Sequence, residues 1–126
     1  MNADEWTVDD HVEGRPEHAV ALYRQFEEFV LRLGEVTVSV SKSTITFKGP
    51  RRGFAGGKPT KVGLRGYFDL TRNLGTSDHR ILNVAPYQRQ LHVHHFTLTT
   101  PQDLDDEFCG WIREAYDVGC GKHLTG

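Results

Sequence analysis

The chain contains only two cysteines and lacks any long apolar segment. Two thiols in 126 residues, without a secretion signal, indicate free cysteines in a reducing compartment. No apolar run approaches the roughly 18 residues of a membrane span. Residues 1–14 hold five acidic side chains and neither lysine nor arginine, unlike a signal or transit peptide. We therefore expect a soluble, cytoplasmic protein that does not associate with a membrane.

Internal repeats and low-complexity segments are absent too, and the length suits one domain. A domain of this size buries enough apolar surface to fold without disulfides or a metal. Residues 1–15 are polar and acidic, and we interpret them as a flexible tail. The rest of the chain, residues 16–124, is interpreted as the single domain.

Charge is distributed unevenly along the chain, although the net charge is only −2. Residues 1–41 carry three basic and nine acidic side chains, and residues 90–126 carry two and six. Residues 42–89, in contrast, carry ten basic and two acidic side chains. We call residues 42–89 the basic block, and such a concentration of one sign produces a strong local field.

Two segments have the apolar period of an amphipathic helix. The first covers residues 16–33 and has Pro16 at its first helical position. The second covers residues 100–119 and begins with a capping box formed by Thr100 and Asp103. Helices are therefore predicted near both ends of the domain.

Between the two helices, alternating apolar and polar residues predict strands. These strands cover residues 35–41, 43–48, 62–70, 80–85 and 91–99, with a turn at Pro86 between the last two. Residues 49–61 form either a loop or a short irregular strand around 52–56 followed by a turn. Short connections favour antiparallel pairing.

The expected fold is α+β, with an antiparallel sheet of five to six strands between an N-terminal and a C-terminal helix. Both helices cover one face of this sheet, and the other face or a cleft at its edge is free for binding. One shared core is expected, and its predicted members are Phe26, Val30, Phe47, Phe68, Phe96, Phe108, Trp111 and Ile112.

Several blocks of the sequence resemble a family of small bacterial domains. The blocks are Leu22 and Tyr23 with Phe26, residues 42–47, Arg52 with Phe54 and Ala55, Tyr87 with residues 92–96, and residues 104–108 and 111–116 with Gly119. On these blocks the chain resembles, over about residues 16–124, the domain of unknown function 5655 family. That family has no established activity. Its domains occur alone and as terminal parts of longer bacterial proteins, so the resemblance implies an accessory or binding module.

Histidines at positions 92, 94 and 95 form the densest group of a common metal ligand. On a strand, His92 and His94 share one face and His95 points to the other. Two imidazoles on one face can bind a transition metal when a carboxylate joins them. The competing interpretation is a strand that ends at a wet cleft, with His94 hydrogen-bonded to a loop or helix end. Because no third ligand has a fixed spacing, we predict no metal and no cofactor.

Other motifs give weaker signals. The segment 53–59 resembles a phosphate-binding loop, but the motif lacks its first glycine and the Ser or Thr after the lysine. Cys109 and Cys120 are about 16 Å apart on one predicted helix, too far for a disulfide. Several acidic residues, Asp69 among them, are candidates for general acid or base, but no pair is defined by spacing.

The basic block is the strongest functional signal in the sequence. Basic side chains beside an aromatic residue on an open sheet suit phosphate contacts and base stacking. The candidate ligand-binding residues are Lys42, Lys48, Arg52, Arg65, Tyr67, Tyr87, His92 and His94. The leading hypothesis is a non-catalytic binding module for an anionic partner, either a nucleic acid or a small anionic ligand. Two alternatives remain open: a small metal-dependent or hydrolytic enzyme centred on His92 and His94, and a protein-interaction accessory domain.

Overall fold

A computed structural model describes residues 6–88 and 90–122. Its helices are α1 (Val8–Val12), α2 (Glu17–Leu31) and α3 (Asp106–Gly119), with a 3₁₀ turn at Pro101–Asp103. Its strands are β1 (Thr37–Val40), β2 (Ile45–Lys48), β3 (Gly53–Pro59), β4 (Leu64–Leu70), β5 (Ile81–Tyr87) and β6 (Leu91–Leu98). The six strands lie between α2 and α3 in the chain, which confirms the predicted α+β fold.

The six strands form one sheet with the order β1-β2-β3-β4-β6-β5. All neighbouring strands are antiparallel. The residues that alternate along each strand divide the sheet into two faces. Phe47, Phe68 and Phe96 lie on the face that packs against α2 and α3, which we call the inner face. The opposite, helix-free face is called the outer face.

The glycine-rich segment forms a complete strand, β3, rather than a loop or a short irregular strand. Its pairing with β2 contains a bulge, because Phe47 pairs with Ala55 whereas the next residue, Lys48, pairs with Gly53. The extra residue, Phe54, is fully buried and packs edge-on against Tyr116 of α3. A bulge at this point lets two consecutive residues of β3 face the core.

The predicted turn at Pro86 is wrong, since Pro86 lies within β5 and pairs with His92. β5 lies at the edge of the sheet. A proline is tolerated there, because its missing N–H group does not cost a hydrogen bond to a neighbouring strand. The chain reverses after Tyr87 instead, where Gln88 and Gln90 both adopt positive φ. The turn of this hairpin therefore begins directly after Tyr87, the last paired residue of β5.

The second predicted helix is interrupted. Thr100 and Asp103 do form the expected capping box, but it caps the short 3₁₀ turn. The chain leaves helical geometry at Leu104, and α3 begins with Asp105 as a separate N-cap that accepts a hydrogen bond from the Phe108 amide. The first predicted helix is nearly correct, although Pro16 is its N-cap rather than its first residue.

Part of the predicted tail is ordered into α1. Thr7 and Asp10 form a capping box, and Val8 and Val12 pack against the core. The imidazole of His11 is mostly buried and its Nε2 lies 2.7 Å from the carbonyl oxygen of Ser41. The flexibility assigned to residues 1–15 stays a prediction, and residues 1–5 lie outside the described residues.

All eight residues predicted to share one core do so. Phe26 of α2, Phe96 of β6 and Phe108 of α3 meet at its centre, with ring centroids 4.9–6.3 Å apart. Among the described residues, no helix combines the length and apolar character required to cross a membrane.

Trp111 anchors α3 on this core, and it is only 9 % exposed. We expect Trp111→Ala to lower the free energy of unfolding by about 3–5 kcal/mol, since it removes buried apolar surface and leaves a cavity. The control is Trp6→Ala, at a position that is 39 % exposed, where we expect about 0.5 kcal/mol or less. Urea denaturation measures both, and equal effects of the two substitutions would contradict the assignment.

Candidate functional site

A cleft with a volume of about 630 Å³ lies on the outer face. Its floor comes from the adjacent strands β4 and β6, and its sides come from the loop before β3 and the β5–β6 hairpin. We call it the first cleft, and its main lining residues are Arg52, Tyr67, Asp69, Tyr87, Val93 and His95. Its size is that of a small-molecule site.

Tyr67 lies across the floor of the first cleft. Its hydroxyl is 3.1 Å from Oγ1 of Thr46, which is two strands away on β2. β2 and β4 are two strand spacings apart, about 9.6 Å, so the Tyr67 side chain must extend across β3 to make this bond. The ring occupies the space above Gly56 of β3, where a Cβ atom would come within 2.7 Å of it. An aromatic ring is therefore held over the middle of the open face.

Arg52 forms one side of the first cleft. Its Nε donates to the carbonyl oxygen of Gly53, its Nη1 to Oε1 of Gln88 at 3.0 Å, and its Nη2 to Oδ2 of Asp69 at 3.3 Å. The guanidinium carbon also lies 5.6 Å from the ring centroid of Tyr87. These contacts tie the β2–β3 loop to the β5–β6 hairpin, which brings two distant segments of the chain together.

Asp69 is the buried charge of the first cleft, with only 4 % of its surface exposed. Its Oδ2 accepts the bond from Arg52, whereas Oδ1 has no hydrogen-bond partner among the described residues. Burial raises the pKa of this carboxyl to about 6, and the charge of Arg52 offsets part of the rise. The site therefore holds a carboxylate that accepts one long hydrogen bond and lacks a donor for its second oxygen.

A second cleft, of about 330 Å³, lies at the opposite end of the outer face. Its lining includes Arg15, Lys61 and Arg65, together with Thr60 and Thr97. Within residues 6–88 and 90–122, none of these three cations has an ion-pair partner. Arg65 and Asp69 are four residues apart on β4, about 13 Å along the strand.

The remaining predicted lysines lie apart from one another. Lys48 ends β2 beside Gly53, at the edge of the first cleft. Lys42 is exposed in the β1–β2 connection, at the other end of the sheet and away from the first cleft. Lys58, which was not among the predicted site residues, pairs with Arg65 on the outer face.

His92 and His94 lie on the inner face, as the alternation of residues implied. His94 is fully buried and stacks on Phe68 with ring centroids 5.0 Å apart. Its Nε2 accepts from the amide of Leu74, so its Nδ1 donates to the carbonyl oxygen of His92. Burial lowers the pKa of His94 and keeps the ring neutral. Over the described part of the chain, no three His, Cys, Asp or Glu side chains are grouped to hold a metal ion.

Several members of the basic block are bound to acidic side chains on the helix side of the sheet. Arg80 is buried, where it donates to Asp78, Asp105 and Glu107. Arg72 pairs with Glu114 of α3 through two bonds of 2.9 Å. Arg89 lies outside the described residues. Only part of the basic block therefore faces the outer side.

Two titratable residues of the first cleft, Asp69 and His95, were missing from the predicted site. The alternation of residues along a strand places both side chains on the outer face, because Asp69 follows Tyr67 by two positions and His95 points opposite to His94. What the pattern could not show is the burial of Asp69, which depends on side chains from distant loops.

The raised pKa of Asp69 predicts an unusual effect of pH on stability. The folded protein binds this proton more tightly than the unfolded chain, so the ionised carboxylate costs stability above pH 6. That cost disappears as the pH falls from about 6 towards 4. Asp69→Asn should therefore raise the free energy of unfolding at about pH 7.5, by about 1–3 kcal/mol, and have little effect near pH 4.

Asp78→Asn is the matched control for this experiment. Hydrogen bonds from Arg80 lower the pKa of Asp78 to about 2, so the substitution should destabilise the protein at neutral pH. Urea denaturation at both pH values measures the two variants. A loss of stability for Asp69→Asn at about pH 7.5 would contradict the account of a costly buried carboxylate.

Comparison with known proteins gives one match. Residues 8–119 match the model of the family described as domain of unknown function (DUF5655). This match starts within α1, earlier than the expected residue 16, and it ends with the last residue of α3. No curated protein and no solved structure matches the chain significantly. With the match extending over most of its length, the chain belongs to the domain of unknown function 5655 family.

Proposed function

We propose that this domain is a non-catalytic binding module that holds a phosphate-bearing partner, a single-stranded nucleic acid, on its outer face. The charges of the outer face support this proposal. Among its described strand residues, Lys48, Lys58 and Arg65 are basic and only Asp69 is acidic. That one acidic group is already paired with Arg52.

The observation that carries the proposal is the second cleft. Arg15, Lys61 and Arg65 line one concavity, and the described residues supply no carboxylate to pair with them. Lys58 lies beside Arg65 on the neighbouring strand. Like charges gathered without a counter-ion repel one another, and an anion between them relieves the repulsion. Arginine and lysine are common binders of phosphate in proteins.

The distance between the clefts favours a chain of phosphates over a single small anion. Lys48 lies at the edge of the first cleft, near the aromatic ring of Tyr67, and the second cleft offers its cations about 13 Å further along β4. A strand of nucleic acid that crosses the sheet contacts both. Stacking of bases on an aromatic ring in a basic groove is a common mode of single-strand binding.

The acidic helix layer and the basic outer face give the molecule an asymmetric charge distribution, which would direct a nucleic acid strand to the outer face. α3 and its N-terminal flank carry six carboxylates, from Asp103 to Asp117. Three cations, Arg72, Arg80 and Lys122, pair with four of these six carboxylates, so an excess of negative charge remains on the helix side. That excess repels a polyanion from the helices and favours the sheet. A cytoplasmic location, in which Cys109 and Cys120 stay reduced, forms part of the proposal.

The two alternatives have less support. An enzyme centred on His92 and His94 needs a free imidazole nitrogen, whereas both ring nitrogens of His94 are bonded to backbone atoms. A protein-interaction role is consistent with the exposed side chains of Leu82 and Tyr87 on the edge strand β5. That role becomes the better hypothesis when no phosphate-bearing partner binds.

Arg65→Glu tests the proposal directly. The domain should bind single-stranded DNA or RNA of about 20 nucleotides at about 50 mM salt, with an affinity that falls as salt rises. Arg65→Glu should weaken binding and reduce the slope of log K against log salt by about 1, since one phosphate contact is lost. Fluorescence anisotropy of a labelled strand measures both quantities.

Arg32→Glu is the matched control, because Arg32 is an exposed arginine at the end of α2 on the other side of the molecule. It should leave binding almost unchanged. An equal effect of both substitutions would mean that net charge, not the outer face, determines binding. Dissociation constants above about 100 μM for every strand would remove nucleic acid as the partner. Inorganic phosphate and small phosphorylated ligands would then be tested in the same way.

A further inference from the structure

The first cleft holds a feature that phosphate binding does not use. Phosphate contacts need donors, yet the floor of this cleft contains the Asp69 carboxylate, which can only accept. Its Oδ1 is buried and lacks a hydrogen-bond partner in the described part of the chain. An unsatisfied buried acceptor of this kind costs stability. A donor from outside the protein would recover that cost.

The electrostatics of the first cleft limit what this donor can be. Arg52 already neutralises Asp69 with a bond of 3.3 Å, so the pair has no net charge to attract a second cation. A neutral N–H group therefore suits the site better than an ammonium or guanidinium group. Because Oδ1 is buried, a donor reaches it only after the carboxylate turns about χ2, a torsion that is broad for aspartate and moves both oxygens together.

The aromatic residues around Asp69 define the shape of the ligand. Tyr67 is two residues from Asp69 on the same strand face, about 6.6 Å away, and its ring is held across the sheet. Tyr87 stands at the rim, where it is 44 % exposed. A flat ring that stacks on Tyr67 therefore presents its edge to Asp69. The cleft volume of about 630 Å³ has room for such a ring.

We propose that the first cleft is a base-recognition subsite, in which an unpaired nucleobase stacks on Tyr67 and donates its exocyclic amino group to Asp69. This inference rests on the proposed function and adds a base preference to it. Carboxylates accept from the amino group of cytosine, whereas uracil presents a carbonyl oxygen at the same ring position. Two acceptors facing each other repel, so uracil is disfavoured.

Oligocytidine and oligouridine form a matched pair of probes, because their bases differ at the ring edge that would face Asp69. We expect the domain to bind a labelled ten-nucleotide oligocytidine about tenfold more tightly than the equivalent oligouridine at neutral pH. Asp69→Asn should bring this ratio close to 1, because an amide offers a donor to uracil as well as an acceptor to cytosine. Arg65→Glu should weaken both complexes and leave the ratio unchanged.

A second measurement on the unmodified domain does not depend on any variant. Free cytidine at millimolar concentration should displace labelled oligocytidine more effectively than free uridine does. Ribose, at the same concentration as the nucleosides, serves as the probe for recognition of a sugar.

Each outcome of these measurements supports or overturns a specific part of the proposal. Equal binding of the two oligonucleotides, or a ratio that persists in Asp69→Asn, overturns base recognition. It leaves the proposed function intact as long as salt and Arg65→Glu still weaken binding. Displacement by ribose as effective as by cytidine replaces the base with a sugar as the ligand. Failure of both oligonucleotides to bind overturns the inference and the proposed function together.

Discussion

Packing of two helices against one face of the six-stranded sheet is the constraint on which the rest of the molecule depends. Phe26 and Phe108 bring α2 and α3 onto Phe96, and this aromatic cluster commits the inner face to the core. Arg80 reinforces α3 from the sheet side, because its guanidinium lies 4.8 Å from the ring centroid of Trp111 and bonds the acidic start of the helix. With both helices on one side, every second residue of each strand is left facing outward.

The packing and charge of each outward-facing residue then depend on the groups around it. Tyr67 can lean across β3 because Gly56 leaves room for the ring. Asp69, two positions along, is buried by its neighbours in the first cleft, and its carboxylate is held by an arginine from the β2–β3 loop. Near the start of the same strand, Arg65 lines the second cleft together with Arg15 and Lys61. One strand thus connects the first cleft, which we propose as a stacking and acceptor site, with the second cleft, which we propose as an anion site.

Much of the fold could be predicted because it depends on local patterns. The α2 period, the alternation in β4 and the capping box at Thr100 are each contained in a few consecutive residues. Secondary structure was predicted wrongly where the tertiary structure places a residue in a different setting from the one that its local sequence indicates. Pro86 is accommodated in a strand because that strand is at the edge of the sheet. The glycine-rich segment forms a strand with a bulge at Phe54, although its composition is typical of a loop. The candidate site was predicted in part, since Arg52, Tyr67 and Tyr87 meet in the first cleft whereas Lys42 and His94 lie elsewhere.

The sequence by itself determined the α+β class, the predicted core residues and the faces of β1, β2, β4 and β6, because side-chain alternation and helical period are properties of the local backbone. Only the tertiary structure decided which charges meet. Arg52 and Asp69 are seventeen positions apart, and strand pairing together with the reversal of the β5–β6 hairpin places both beside Tyr87. Arg80 belongs to the same basic block, yet it is buried among carboxylates on the helix side. Contacts between residues far apart in the chain depend on register and loop geometry, which no local pattern encodes.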